Sequence, residues 1–161
     1  MELIVHPMIC IIERDRSRRS PKRAGPRDHR EGTSVTTDDD VRVLVVDDNP
    51  LLCAGLVRLL IHAGYRAEGA TSVEEALATT RRATFDCGVF DIQLGFSDGL
   101  ELARRLVAEG RVRTAVFFSA TLLSGDRVRA NRLGPFVSKS ASVERVLEAV
   151  VTVVGASRKR P

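Results

Sequence analysis

The sequence predicts an α/β fold, a doubly wound five-stranded parallel sheet preceded by a disordered N-terminal extension. Three observations carry this. Short apolar runs begin near residues 41, 65, 86, 113 and 135, recurring every 21 to 27 residues, and each interval has room for one helix. The 161 residues are 43% hydrophobic and 29% charged, which suits one domain with a real core and not two. Residues 1–40 contain no aromatic side chain, and the stretch RDRSRRSPKRAGPRDHR (14–30) has neither helical nor strand periodicity.

Each element has its own signal. VRVLVV (41–46) is a buried-strand run ending in Asp47 and Asp48. LLCAGLVRLLIHAG (51–64) has helical spacing, with Asn49 to cap it, Pro50 in the first turn and Gly64 as the stop. YRAEGA (65–70) is a shorter second strand. Ser72, with Glu75 three residues on, reads as a capping box opening a helix to about Ala83. CGVFD (87–91) is a third strand ending in Asp91, and Asp98-Gly99 leads a helix over 99–110. RTAVFFSA (113–120) is the fourth strand, a weaker helix lies around 124–133, and GPFVSKS (134–140) holds the fifth strand. SVERVLEAVVTVV (142–154) closes the fold as an amphipathic helix capped by Ser142. The domain therefore spans 41–155, between an Arg-rich extension (1–40) and a basic tail (156–161).

Composition excludes several functions. No apolar run approaches the ~20 residues of a membrane span, and MELIVHPMICII lacks the basic start of a signal peptide. Cys10, Cys53 and Cys87 are odd in number and scattered, which fits no disulfide framework or zinc module and points to a reducing, cytoplasmic setting. The net charge of +4 dissolves on division. Residues 1–40 carry 8 basic and 8 acidic side chains, residues 41–155 carry 14 and 13, and the last six carry 3 and none. A DNA-reading body would hold the excess itself. Of the 25 basic residues 22 are Arg, and Lys139 is the only lysine between 41 and 155, so its compact ammonium is a candidate functional group.

In such a sheet, function gathers at the carboxyl ends of the strands, beside the point where strand order reverses. Those ends carry Asp47 and Asp48, Asp91, Ser119 and Lys139. In the flavodoxin-like order 2-1-3-4-5, the first and third strands are neighbours there, so three carboxylates converge opposite a hydroxyl and an ammonium. Carboxylates so close raise one another's pKa unless a cation takes up the charge, and an all-oxygen donor set suits Mg²⁺. One carboxylate could then act as a nucleophile toward phosphorus, with Lys139 and Ser119 neutralising the transferring oxygens.

These residues carry a resemblance. VLVVDDNP, VFDIQLGFSDGLELA, FFSA and FVSK, in this order and spacing, resemble the receiver domain of bacterial two-component response regulators, over about 41–155. The resemblance implies a single-domain response regulator in a phosphorelay, CheY-like, which takes a phosphoryl group on Asp91 from a phosphohistidine donor. It is then a phosphoacceptor that assists its own phosphorylation and dephosphorylation rather than an enzyme. It implies Mg²⁺ held directly by Asp48, Asp91 and the backbone carbonyl of Gln93, with Asp47 acting largely through a metal-bound water. It makes Ser119 the sensor of one phosphoryl oxygen, Lys139 the partner of another and Phe136 the rotating switch aromatic. Gln93 and Thr121 stand where family members tune phosphoryl lifetime. The implied partners are a sensor histidine kinase or histidine phosphotransfer protein, and a downstream protein docking on the face of the fourth helix, fifth strand and closing helix. Arg127, Arg129, Arg132 and Arg145 mark that face.

Three residues depart from the family pattern. Ser140 stands where a proline in a cis bond usually follows the lysine, so the loop is expected to be trans or strained. Gly95 stands where a proline usually lies four residues after the acceptor, which is expected to loosen the loop. The fourth helix looks short and contains Gly125. Alternative readings are weaker in the residues. A Rossmann nucleotide site needs a GxGxxG turn where this chain has Asp47-Asp48-Asn49. A haloacid-dehalogenase-like phosphatase needs a DxD pattern on the first strand. A degenerate receiver acting as a phosphorylation-independent adaptor is the remaining alternative. With GASRKRP after the closing helix, no output domain such as a helix-turn-helix is expected in this sequence.

Overall fold

The computed structural model describes residues 41–120 and 129–158. In chain order the elements are β1 (Arg42–Val46), α1 (Pro50–His62), β2 (Arg66–Ala70), α2 (Val73–Arg82), β3 (Phe85–Phe90), α3 (Gly99–Ala108), β4 (Val112–Ser119), β5 (Phe136–Ser138) and α4 (Glu144–Arg158). The five strands form one parallel sheet in the order β2-β1-β3-β4-β5. The predicted order is therefore the observed one. Of the fourth predicted helix, residues 129–131 are helical; its start, like the 1–40 extension, lies outside the described residues.

The period-two alternation of strand side chains builds a core on each face of the sheet. Val43 and Val45 of β1 join Val116 and Phe118 of β4 against Cys53, Leu56 and Leu60 of α1 and Val146, Val150 and Val154 of α4. Leu44 and Val46 point the other way, to Phe90, Phe117, Ala76 of α2 and Leu100 and Leu106 of α3. Both strand faces are dry, which is why β1, β3 and β4 read as continuous apolar runs. Cys53 and Cys87 are free and buried, and burial pushes the Cys87 thiol up to about 12. Among the described residues no helix is long and apolar enough to cross a membrane.

Helix ends follow their caps, with two departures. Asn49 accepts from Leu51 N and Leu52 N at 3.1 and 3.2 Å, as its place before Pro50 predicts. At α2 the Ser72 hydroxyl accepts from Glu75 N at 3.1 Å, but the Glu75 carboxylate reaches one residue further back, to Thr71 N at 2.7 Å and Thr71 Oγ1 at 2.9 Å. The closing helix begins at Glu144, with Ser142 accepting from Arg145 N through its carbonyl at 3.1 Å. It continues through Gly155 to Arg158, so residues 156–158, read as tail, are helical.

Candidate functional site

Backbone bonds one residue beyond the strands fix the site. Asp47 N donates to Ala70 O at 3.1 Å, Asp91 N to Val46 O at 2.8 Å, and Lys139 N to Ser119 O at 2.9 Å. Asp47, Asp91, Ser119 and Lys139 thus sit at the carboxyl edge of adjacent strands, where the chain leaves the ladder. Asp47, Asp48 and Asp91 each present a carboxylate oxygen, all within 4.8 Å of one another. Asp47 and Asp91 are buried, and Asp48 is exposed at the mouth of the pocket.

Lys139 enters this group from β5. Its Nζ lies 2.5 Å from Asp91 Oδ2 and 2.7 Å from Asp47 Oδ2, and 5.9 Å from the centroid of the Phe118 ring. The pair with Asp91 is a directed hydrogen bond. That with Asp47 is an ion pair whose angle is poor for a hydrogen bond to Oδ2, while Asp47 Oδ1 accepts from Asn49 N at 3.0 Å. Burial raises the Asp47 carboxyl above the usual range, and the Lys139 ammonium offsets only part of this. Burial by itself would lower Lys139, but its two carboxylate partners outweigh that and its pKa is raised. Three carboxylates against one ammonium leave two negative charges, which one divalent cation would cancel. The donors are all oxygen, so the residues fit Mg²⁺.

The segment after Asp91 is a feature that the sequence did not reveal. Gln93–Leu94 and Ser97–Asp98 pair antiparallel as a two-residue ribbon, with Gln93 opposite Asp98. Its amides hold the pocket: Gln93 N donates to Asp91 Oδ1 and Gly95 N to Asp48 Oδ2, both at 3.1 Å. Gly95 turns the ribbon at φ 59°, a conformation closed to proline, which also lacks the donated N–H. The expected loosening is therefore replaced by a tether to Asp48. Gly99 opens α3 directly against Asp91; a Cβ there would collide with the Asp91 carbonyl oxygen. An open cleft of about 560 Å³ lies between Asp48, Asp91, Gln93 and Asp98, with the Phe96 side chain fully exposed on its rim.

The remaining predicted residues divide. Ser119 is buried, and its hydroxyl has no hydrogen-bond partner among the described residues. Phe136 is half-buried on β5, opposite Phe117 and packed against the core beneath α3. Gln93 is exposed; Thr121 and Arg127 lie outside the described residues. Arg129 and Arg145 of the anticipated docking face turn to carboxylates of their own chain, Asp98 at 2.7 Å and Glu148 at 3.0 Å. The Lys139–Ser140 peptide is trans, as every described peptide is. Ser140 N donates to Ser138 Oγ at 3.2 Å, and Ala141 N closes the turn onto Ser138 O at 2.9 Å. That first bond uses an amide that proline does not have.

Comparison with known proteins agrees with this geometry. Residues 43–151 match the family described as the response regulator receiver domain. The transcriptional regulatory protein TrcR of Mycobacterium tuberculosis is 34% identical over 125 residues, covering 76% of this chain and 46% of TrcR. Among solved structures, a CheY-like receiver domain protein from Methanospirillum hungatei superposes with TM-score 0.69 at 21% identity, covering 75% of this chain and 98% of that one. A response regulator from Burkholderia pseudomallei, crystallised with a phosphorylated aspartic acid, calcium and citrate, superposes at 0.64 with 26% identity, covering 74% of this chain and 71% of that one. The chain spans about half the length of TrcR.

Proposed function

The chain belongs to the response regulator receiver family, and from that premise we propose that it takes a phosphoryl group on Asp91 within a phosphorelay. The observation that carries this is the convergence of Asp47, Asp48 and Asp91 with Lys139 at the carboxyl edge of the sheet. Asp91 is assigned as the acceptor because it stands at the end of β3 between the Asp47-Asp48 pair and Ser119 and opens onto the cleft, with Oδ1 aimed by Gln93 N and Oδ2 by Lys139 Nζ. The donor is a phosphohistidine of a sensor kinase or phosphotransfer protein. An Asp91 oxygen attacks phosphorus, the P–N bond breaks, and its electron pair leaves on the imidazole nitrogen, which takes up a proton.

The chain's own groups then share the new charge. Lys139 moves its ammonium from the Asp91 carboxylate to a phosphoryl oxygen. The buried Ser119 hydroxyl, which lacks a partner among the described residues, donates to another. Asp48, Asp91 and the backbone carbonyl of Gln93 would hold Mg²⁺ directly and Asp47 through a water, and the ion when bound would supply positive charge for the phosphoryl oxygens. Ser119 and Phe136 relay the change along β4 and β5 toward a partner, and the exposed Gln93 side chain, with Thr121, tunes how long the phosphoryl group survives. The free, buried cysteines suit a cytoplasmic setting.

Beryllofluoride, which mimics a phosphoryl group on a carboxylate, tests the reading. In the presence of Mg²⁺ it should shift the NMR signals of Asp91, Ser119 and Phe136. Absence of any shift around Asp91 would overturn it.

A further inference from the structure

We propose that Arg129 is a positioning residue for the acidic pocket, acting through Asp98 and the ribbon over residues 93–98; this rests on the reading that the pocket holds Mg²⁺. Asp98 spends both of its carboxylate oxygens. Oδ1 caps α3, accepting from Leu100 N at 2.9 Å and Glu101 N at 3.4 Å, and Oδ2 takes Arg129 Nη2 at 2.7 Å. In the ribbon Asp98 stands opposite Gln93, whose amide holds Asp91, and at the turn the Gly95 amide holds Asp48. Two of the three pocket carboxylates are therefore oriented by amides of a ribbon only two residue pairs wide.

A pairing of that size does not keep its place in water by itself. Leu94 anchors it in the core and the Gly99 amide donates to Ile92 O at 2.8 Å, so the freedom that remains depends on what ties the Asp98 end. One end follows directly from Asp91. The other is Asp98, tied to the start of α3 and, through Arg129, to a helical segment 31 residues later in the chain. Releasing Arg129 leaves Asp98 capping α3 but frees the ribbon to shift by the few tenths of an ångström that cation coordination notices. Coupling of this kind is reciprocal, so a cation in the pocket also orders the segment around Arg129.

The experiment is Mg²⁺ titration by calorimetry on the full chain and on Arg129→Gln and Arg129→Lys, with amide exchange at residues 129–133 measured with and without Mg²⁺. The Gln variant should bind Mg²⁺ about two- to five-fold more weakly, the reach of an exposed ion pair, and Lys should restore part of the loss. Mg²⁺ should slow exchange at 129–133 in the parent and not in Arg129→Gln. Equal affinity in the parent and the Gln variant overturns the proposal, as does a general loss of stability with Mg²⁺ affinity unchanged. A parent that binds no Mg²⁺ overturns the underlying reading instead. Should Arg129→Gln fail to fold, Arg129→Met, which keeps the aliphatic stem and removes the ion pair with Asp98, gives the same comparison.

Discussion

The ammonium of Lys139 lies 2.5 Å from Oδ2 of Asp91, a residue 48 positions earlier in the chain. The same nitrogen reaches Asp47 at 2.7 Å, so one cation holds two buried carboxylates together. Replacing it leaves two buried carboxylates facing each other with no ammonium between them. Lys139→Ala should lose about 1–3 kcal/mol in urea unfolding, less than the cost of breaking a fully dry pair, because the lysine side chain is 18% exposed. Mg²⁺ should then raise the melting temperature more in the variant than in the parent, having repulsion to relieve. Lys139→Arg should keep the charge but lower phosphoryl labelling, since a planar fork cannot occupy the ammonium's place.

Gly99 and Gly155 should respond oppositely to alanine. A Cβ on Gly99 meets the Asp91 carbonyl oxygen, so backbone must move; Gly99→Ala should cost more than about 2 kcal/mol and weaken Mg²⁺ binding. Gly155 lies inside α4, where an added Cβ meets nothing within 4 Å, and Gly155→Ala should gain up to about 1 kcal/mol. Chemical unfolding of the two variants checks both signs.

Gly95→Pro should weaken Mg²⁺ binding while leaving the melting temperature close to that of the parent. It removes the N–H that Asp48 accepts and a φ of 59° that proline cannot adopt, both at the exposed mouth of the pocket. Unchanged Mg²⁺ affinity by calorimetry would show that the tether does not orient Asp48.

Glu75 gives a pH dependence. The Thr71 amide, then its hydroxyl, hold the Glu75 carboxyl below the usual range. A depressed folded pKa contributes stability above the unfolded pKa, and that contribution is lost as pH falls through the folded one. The carboxylate is exposed and screened by water, so Glu75→Gln should cost only about 0.5 kcal/mol at neutral pH. The gap should close as the pH drops through the carboxylate range. Urea unfolding of both proteins across that range measures it.

Much of the site was legible because strand ends are legible. Apolar runs closing in Asp47-Asp48, Asp91, Ser119 and Lys139 give both the sheet and the edge on which those groups meet. The ribbon was not, because two residue pairs leave no periodicity, and Gly95 reads as a loose loop until its amide is seen to meet Asp48. Nor was the Asp98–Arg129 pair, since nothing local marks which of many arginines an N-capping aspartate will meet. The shifted capping box at Thr71 and the run of α4 through Gly155 are end effects, where tertiary packing outweighs local propensity.

Asp91 alone should accept the phosphoryl group, and the phosphorelay role depends on it. The most direct test is intact-mass measurement of the full chain and Asp91→Asn after incubation with acetyl phosphate and Mg²⁺. The parent should gain one phosphoryl group, lost when Mg²⁺ is chelated beforehand, and Asp91→Asn should gain none. Stoichiometric labelling of Asp91→Asn would contradict that assignment.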